Sequence, residues 1–418
     1  MTELSRRDLV ARAGLATAAV VLARPAIAES APDLRTWGAV RAQFELEPRR
    51  IHLASFLLAA HPRPVRQAIE RHRRGLDRDA ATYLETNGAR LANDARAAAA
   101  RFLDVPAHEI ALTDSTTMGL GLLYARLALE PGDEVLTTEH DFYATHEALR
   151  LSDVRVRRVA LYDDPRDATV DEIVSRLRRA ISARTRLVAL TWVHSSTGVK
   201  LPLRAIASAL PDRVLLCVDG VHGLGAEAAT VRGLRCDAFA AGCHKWLYGP
   251  RGTGVLWANA RVRGLVRPTI PSFEDGASYG AWLGGTVPSG IPDGARLTPG
   301  GYHSFEHRWA LGEAFRFHER MGRNRVEARV HALARRLQTR LAEIRGVRLR
   351  TPSSATLSAG LVCFEVRDLD PAAVVHRLAE RRIVASVTPY ARRYVRLGPG
   401  IVNTEADVDA AVRAIAAL

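Results

Sequence analysis

Between residues 110 and 257 the chain repeats one pattern: a short apolar run, then a polar turn or a stretch with helical period. The runs occupy residues 110–113, 134–137, 154–161, 187–192, 214–218, 238–240 and 253–257. They are too short for helices and mostly lack the polar alternation of a half-exposed strand, as expected of strands buried on both faces. Segments with helical period lie between several of them, notably residues 170–181 and the apolar run 118–129. Strands alternating with helices predict an α/β fold with a mostly parallel sheet.

The flanks complete the organisation. Residues 64–76 and 93–102 read as amphipathic helices rich in Ala and Arg. Gly and Pro crowd residues 268–301, which have little periodicity. Helices are expected over 306–321 and 325–345. The tail reads strand, helix, strand, helix over 360–366, 371–381, 394–397 and 405–418. The expected division is a large domain over 61–300 and a small α/β domain over 301–418, which the segment 29–60 joins.

The first residues carry an address. Ser5-Arg6-Arg7-Asp8-Leu9-Val10 precedes an apolar run over 14–22 and then Ala26-Ile27-Ala28. Basic, apolar and small-residue regions in that order make a signal peptide over 1–28, too short to span a bilayer. The paired arginines resemble the twin-arginine signal. That implies passage through the twin-arginine export machinery as a folded protein, and a periplasmic or secreted location. The formal charge is +14, but the arginines are scattered among acids along the whole chain. This describes a solvated surface rather than a nucleic-acid footprint. Cys217, Cys236, Cys243 and Cys363 lack metal-ligand spacing and read as buried thiols, so neither a metal site nor a disulfide framework is expected.

Lysine appears only twice, at Lys200 and Lys245, among 59 lysines and arginines. A lysine kept in so arginine-rich a chain suggests amine chemistry, because a neutral amine attacks carbonyls and a guanidinium stays protonated. Lys200, beside a strand end, reads as a surface residue. Lys245 lies in Gly242-Cys-His-Lys-Trp-Leu-Tyr-Gly-Pro-Arg-Gly-Thr-Gly, just after a predicted strand. Ligands collect beyond the carboxyl ends of strands in open α/β sheets, and other loaded segments fall there too. Ser115, Thr116 and Thr117 sit at a predicted helix start, which suits a phosphate or a simple N-cap. Asp219 ends the run 214–218 in Asp-Gly-Val-His222, where a carboxylate could hold a pyridinium nitrogen.

Asp219-Gly-Val-His222 followed by Gly242-Cys-His244-Lys245 and its Gly-Pro-Arg-Gly-Thr-Gly tail resembles the core of class V aminotransferase-fold (fold type I) pyridoxal-phosphate enzymes. The likeness is greatest to the branch named for isopenicillin N epimerase, related to the cysteine desulfurases, and covers about residues 50–418. It implies that Lys245 forms the Schiff base and shuttles protons, that Asp219 pairs with the pyridine nitrogen, and that His222 lies near the ring hydroxyl. Ser115, Thr116, Thr117 and His244 would hold the phosphate. His140 would stack on the ring, with Tyr143 as a rival. Arg396 would clamp a substrate carboxylate, with Tyr143 and Ser196 also facing the substrate; the polar loop 193–198 is the one that approaches the ring hydroxyl. Separately, the Gly-rich segment 283–301 is too long and irregular to be a buried element of one lobe, so a homodimer with the active site at the subunit interface is expected.

The chain departs from the family pattern in three places. Tyr302 stands where a threonine would reach a partner's phosphate, and Gly242 stands where a small polar residue precedes the lysine. Arg381 and Arg382 occupy the stretch where desulfurases carry a thiolate, which argues against desulfuration. The expected protein is an exported pyridoxal-phosphate enzyme acting on an amino acid or an amino-acid-containing natural product. Transamination, epimerisation and elimination all remain open to it. A catalytically silent binding protein on the same fold would be expected to lose Lys245 or Asp219.

Overall fold

A computed structural model describes residues 33–418; the signal over 1–28 lies outside them. Seven strands form the main sheet: β2 (Ile110–Thr113), β3 (Glu134–Thr138), β4 (Arg155–Val159), β5 (Thr185–Thr191), β6 (Leu215–Asp219), β7 (Ala238–Gly242) and β8 (Gly254–Ala258). Their order is β2-β8-β7-β6-β5-β3-β4. β4, β3, β5, β6 and β7 run parallel to one another, while β8 runs antiparallel to both β7 and β2. The sheet is therefore mostly parallel, as the alternation of strands and helices predicts.

Successive residues of a strand point to opposite faces, and here both faces are covered. Leu216, Val218, Phe239 and Ala241 enter one apolar cluster, while Leu215, Cys217, Ala238 and Ala240 enter the other. Two-sided burial is why these strands read as unbroken apolar runs.

The smaller sheet has the order β12-β13-β10-β9, from β9 (Val347–Leu349), β10 (Val362–Val366), β12 (Ser386–Val387) and β13 (Val395–Leu397), with all neighbours antiparallel. Leu337, Leu341, Phe364, Leu378, Val395 and Val408 build its core. The N-terminal segment completes this lobe: β1 (Ile51–His52) pairs in parallel with β11 (Ile383–Val384), and Asn403 Nδ2 donates to the His52 carbonyl at 3.1 Å.

The large-lobe core extends well past residue 300. Helix Phe305–Met321 packs on helices Arg63–Arg78 and Ala80–Leu103, and its Leu311, Phe315 and Phe317 lie in the large-lobe cluster. The next helix, Arg323–Ala342, straddles the lobes: Val326 and Val330 belong to the large core, Leu333, Leu337 and Leu341 to the small one. A single amphipathic helix carries no local mark of which half faces which core, so the division lies later than a boundary at 300. Residues 268–301 contain two helices, Gly276–Leu283 and Gly294–Leu297. The first buries no residue, and its Trp282 is 70% exposed.

Lys200 is no surface residue. Its ammonium pairs with the buried Glu227 at 2.7 Å, and the other Glu227 oxygen meets His331 Nε2 at 2.6 Å.

Candidate active site

The loaded segments converge beyond the carboxyl edge of the main sheet. Asp219 ends β6 and Gly242 ends β7, and the two strands are neighbours, with Asp219 opposite Ala240. After β7 the chain folds back on itself: Cys243 N donates to Thr253 O at 2.9 Å and Gly249 N to Cys243 O at 2.8 Å. A Cβ on Gly249 would lie 2.7 Å from that same carbonyl, so the fold-back requires glycine. Lys245 sits in this loop. Burial lowers its amine from the usual 10.5 to about 8; Asp219 opposes the shift and Arg396 adds to it. Asp219 is 2% exposed, and burial raises its carboxyl to about 6. The carboxyl's one hydrogen bond among the described residues is from Val221 N at 3.0 Å.

A cradle lies beside Lys245. Ser115 caps helix Thr116–Tyr124, its Oγ accepting from Met118 N at 3.1 Å. Thr116 Oγ1 accepts from Gly242 N at 2.7 Å, which ties this helix start to the end of β7. A Cβ on Gly242 would stand 3.0 Å from His244 Cε1 and 3.2 Å from Thr116 Oγ1. Glycine thus keeps open a space walled by an imidazole, a hydroxyl and a helix N-terminus. His244 Nδ1 meets the Thr253 carbonyl at 3.3 Å, and burial keeps the ring neutral. Thr117 is exposed.

The far wall is aromatic. His140 stacks on Tyr162 with centroids 3.9 Å apart and planes 8° from parallel. Its Nε2 accepts from Leu161 N at 3.2 Å, and burial holds its pKa near 3. The Tyr162 hydroxyl meets His194 Nδ1 at 2.8 Å and Thr197 Oγ1 at 3.1 Å. Asp141 pins the edge: one carboxylate oxygen accepts from Thr137 Oγ1, Thr138 N and Thr138 Oγ1, the other from Thr191 N, at 2.6–2.8 Å. His222 is buried, which lowers its pKa far below the usual value, and Trp246 Nε1 approaches its Nδ1 at 3.4 Å. Tyr143, 68% exposed, is the first residue of helix Tyr143–Arg150.

The small lobe contributes a cation. Arg396, on β13, is 3% exposed and lies 4.6 Å over the Phe56 ring. Its Nε and Nη2 share Ser386 Oγ, and Nη1 donates to the Ser195 carbonyl at 3.1 Å. Four other arginines are comparably buried: Arg96, Arg263, Arg308 and Arg350. Each of those has a carboxylate. Of these five buried arginines, Arg396 alone has only neutral acceptors among the described residues. Within the loop 193–198, His194 and Thr197 face Tyr162, and Ser195 Oγ meets Tyr390 OH at 2.8 Å. Ser196 Oγ is buried without a hydrogen-bond partner among the described residues.

The structure thus brings together Lys245, Asp219, His222, Ser115, Thr116, His244, His140 and Arg396. Asp141, Tyr162 and Tyr390 complete the walls without a local motif to mark them. Asp141 alone had a sequence cue, since it directly follows the run Glu139-His140 at a strand end.

The family model for the class-V aminotransferases matches residues 62–410. The chain belongs to that family. Among curated proteins it is 27% identical to the isopenicillin N epimerase of Streptomyces clavuligerus over 393 residues, covering 91% of this chain and 98% of that one. It is also 27% identical to a probable cysteine desulfurase of Xylella fastidiosa, covering 80% of this chain and 82% of that one. Among solved structures, a mutant of C-DES with glycine covalently linked to the PLP cofactor superposes with a TM-score of 0.81. It shares 22% identity and covers 90% of this chain and 98% of that one. The cysteine desulfurase CsdA of Escherichia coli gives 0.75 at 23% identity, with coverages of 92% and 98%.

The class-V aminotransferase cofactor is pyridoxal phosphate, and the residues present fit it. The space kept by Gly242 beside Thr116 and His244 suits a phosphate. Asp219, a buried carboxylate with one neutral hydrogen bond, is matched by a cationic ring nitrogen. Lys245 is the amine that would carry the cofactor.

Proposed function

We propose that this class-V aminotransferase-family protein is an exported enzyme that binds an α-amino acid, or the amino-acid part of a natural product, by its carboxylate and moves a proton at its Cα. The observation that carries the reading is the Arg396 guanidinium, buried without a carboxylate partner and electrostatically coupled to Lys245. A buried cation with neutral acceptors alone is costly, and a substrate carboxylate supplies the missing charge.

Bound pyridoxal phosphate would supply an electron sink that acidifies the substrate Cα–H. The chain's own residues set where that proton goes. Asp219 would keep the ring nitrogen protonated, and Thr116, His244 and the amides at the helix start would hold the phosphate. Lys245, with its amine near 8, has a neutral population at working pH and is the base closest in character to the task. His140 is a poor second base, because its Nε2 is committed to Leu161 N. His222 and His194 are buried and held neutral. A single base favours transamination or elimination over a two-base epimerisation. Desulfuration lacks its nucleophile: all four cysteines are buried, and burial raises each thiol.

The test is an absorption spectrum of the purified protein loaded with pyridoxal phosphate, followed by titration with amino acids and small peptides. A spectral change with amino acids and release of keto acid support the reading. No change with any α-amino acid overturns it. Export by the twin-arginine route rests on Arg6 and Arg7; replacing both with lysine should hold the protein in the cytoplasm, and unchanged export would refute that route.

A further inference from the structure

The hairpin between β12 and β13 has no role in the reading above, yet it delivers one side chain to the site. Thr388 N donates to Tyr394 O at 2.9 Å, Tyr394 N to the buried Thr388 Oγ1 at 2.9 Å, and Tyr390 N to Thr388 O at 3.0 Å. Arg393 pairs with Asp370 at 2.8 Å at the hairpin's outer side. These bonds fix the backbone, so the direction of each side chain is set before any ligand arrives. Pro389, Ala391, Arg392 and Arg393 are all exposed, whereas Tyr390 turns inward. Its ring meets Phe142 edge-on at 5.9 Å, and its hydroxyl lies 2.8 Å from Ser195 Oγ on the other lobe.

The same Ser195 accepts from Arg396 through its carbonyl. Tyr390 and Arg396 therefore converge on one residue from the small lobe, and each has bonding capacity to spare. Arg396 has five N–H donors. Three of its nitrogens bond two oxygens, Ser386 Oγ and Ser195 O. Tyr390 rests on a neutral hydroxyl. Burial raises the phenol's pKa well above neutral, so it stays an O–H donor through the physiological range.

We propose that Tyr390 is a specificity-determining residue: its hydroxyl leaves Ser195 and donates to the substrate carboxylate that Arg396 holds. The inference rests on the carboxylate reading of Arg396. The exchange replaces a neutral hydrogen bond with one to an anion, which is shorter and stronger. A substrate without the carboxylate leaves Tyr390 on Ser195 and gains nothing from the hairpin.

The experiment measures spectral dissociation constants of the cofactor-loaded protein for L-alanine and for ethylamine, its decarboxylated counterpart. Wild type, Tyr390→Phe, Ser195→Ala and Arg396→Lys are compared. Wild type should prefer L-alanine. Tyr390→Phe keeps the ring and its packing; it should weaken L-alanine about tenfold, the scale of one hydrogen bond to a charged group, and leave ethylamine within about twofold. Ser195→Ala frees the phenol and should bind L-alanine at least as tightly as wild type. If Tyr390→Phe weakens both probes equally or neither, while Arg396→Lys abolishes the preference for L-alanine, the role of Tyr390 is refuted and the carboxylate reading stands. A tenfold loss of L-alanine in Ser195→Ala would refute it too, making the serine the carboxylate's partner. If wild type binds the two probes alike, the carboxylate reading itself falls, and Tyr390's role with it.

Discussion

Lys245 and Asp219 are both pushed by burial toward their neutral forms. The amine falls to about 8 and the carboxyl rises to about 6, and each partly offsets the other. The direction matters for loading, because only the neutral amine attacks the cofactor's aldehyde. Capture of pyridoxal phosphate by the cofactor-free protein should therefore accelerate up to about pH 8 and then level off. A rate still climbing tenfold per pH unit beyond 9 would mean that the amine is unshifted. Lys245→Ala should abolish borohydride trapping of the cofactor, and a reducible adduct in that variant would move the assignment elsewhere. Asp219→Asn should keep the cofactor bound through the Thr116–His244 cradle but lower turnover at least ~100-fold, about 2.7 kcal/mol of transition-state stabilisation. Turnover near the wild-type value would show that another group protonates the ring.

At the scale of elements, the cradle depends on how closely helix Thr116–Tyr124 meets the end of β7. Thr116 Oγ1 and Gly242 N bridge the two at 2.7 Å, and a methyl group on Gly242 would press on His244 and Thr116 at 3.0 and 3.2 Å. Gly242→Ala should fold normally and lose about tenfold in cofactor affinity, toward the lower end of the ~1–3 kcal/mol cost of overpacking. Equilibrium dialysis of pyridoxal phosphate against the variant reads this directly, and unchanged affinity would place the phosphate elsewhere. A second element stands out by what it leaves uncovered. Helix Gly276–Leu283 buries none of its residues, and Tyr279, Trp282 and Leu283 are 62%, 70% and 66% exposed. So apolar a face suits an interface.

The whole molecule is expected to be a homodimer that covers this helix. Light scattering should give twice the chain mass, and Trp282→Asp should shift the population toward monomer; a fully active wild-type monomer would refute the assembly. How much of the molecule was legible in the sequence follows from how local each feature is. The strands of the main sheet were, because two-sided burial leaves unbroken apolar runs such as 214–218. Lys245 and Asp219 were, because both sit at strand ends in glycine-rich turns. Tyr390 and Tyr162 were not: their roles come from partners on other segments, Ser195 and His194, at sequence separations of 195 and 32. Lys200 misled for the same reason. Its neighbours in sequence resemble a surface loop, while Glu227 and His331 come from distant segments.

The pairing of β1 with β11 sets an order of assembly during synthesis. A ribosome makes residues 51–52 long before their partners, residues 383–384; the bond from Asn403 to His52 spans 351 positions. Contacts of such separation form late, because the intervening chain must first be made and its loop closed. Asp219, Thr116, Gly242, His244 and Lys245 all precede the small lobe in the chain, whereas Arg396 and Tyr390 lie within it. A nascent chain therefore holds the parts of the cofactor cradle before it owns the residues proposed to grip a substrate. Cofactor capture and substrate competence are separable events in the life of each molecule, and the second waits for the small lobe to be made.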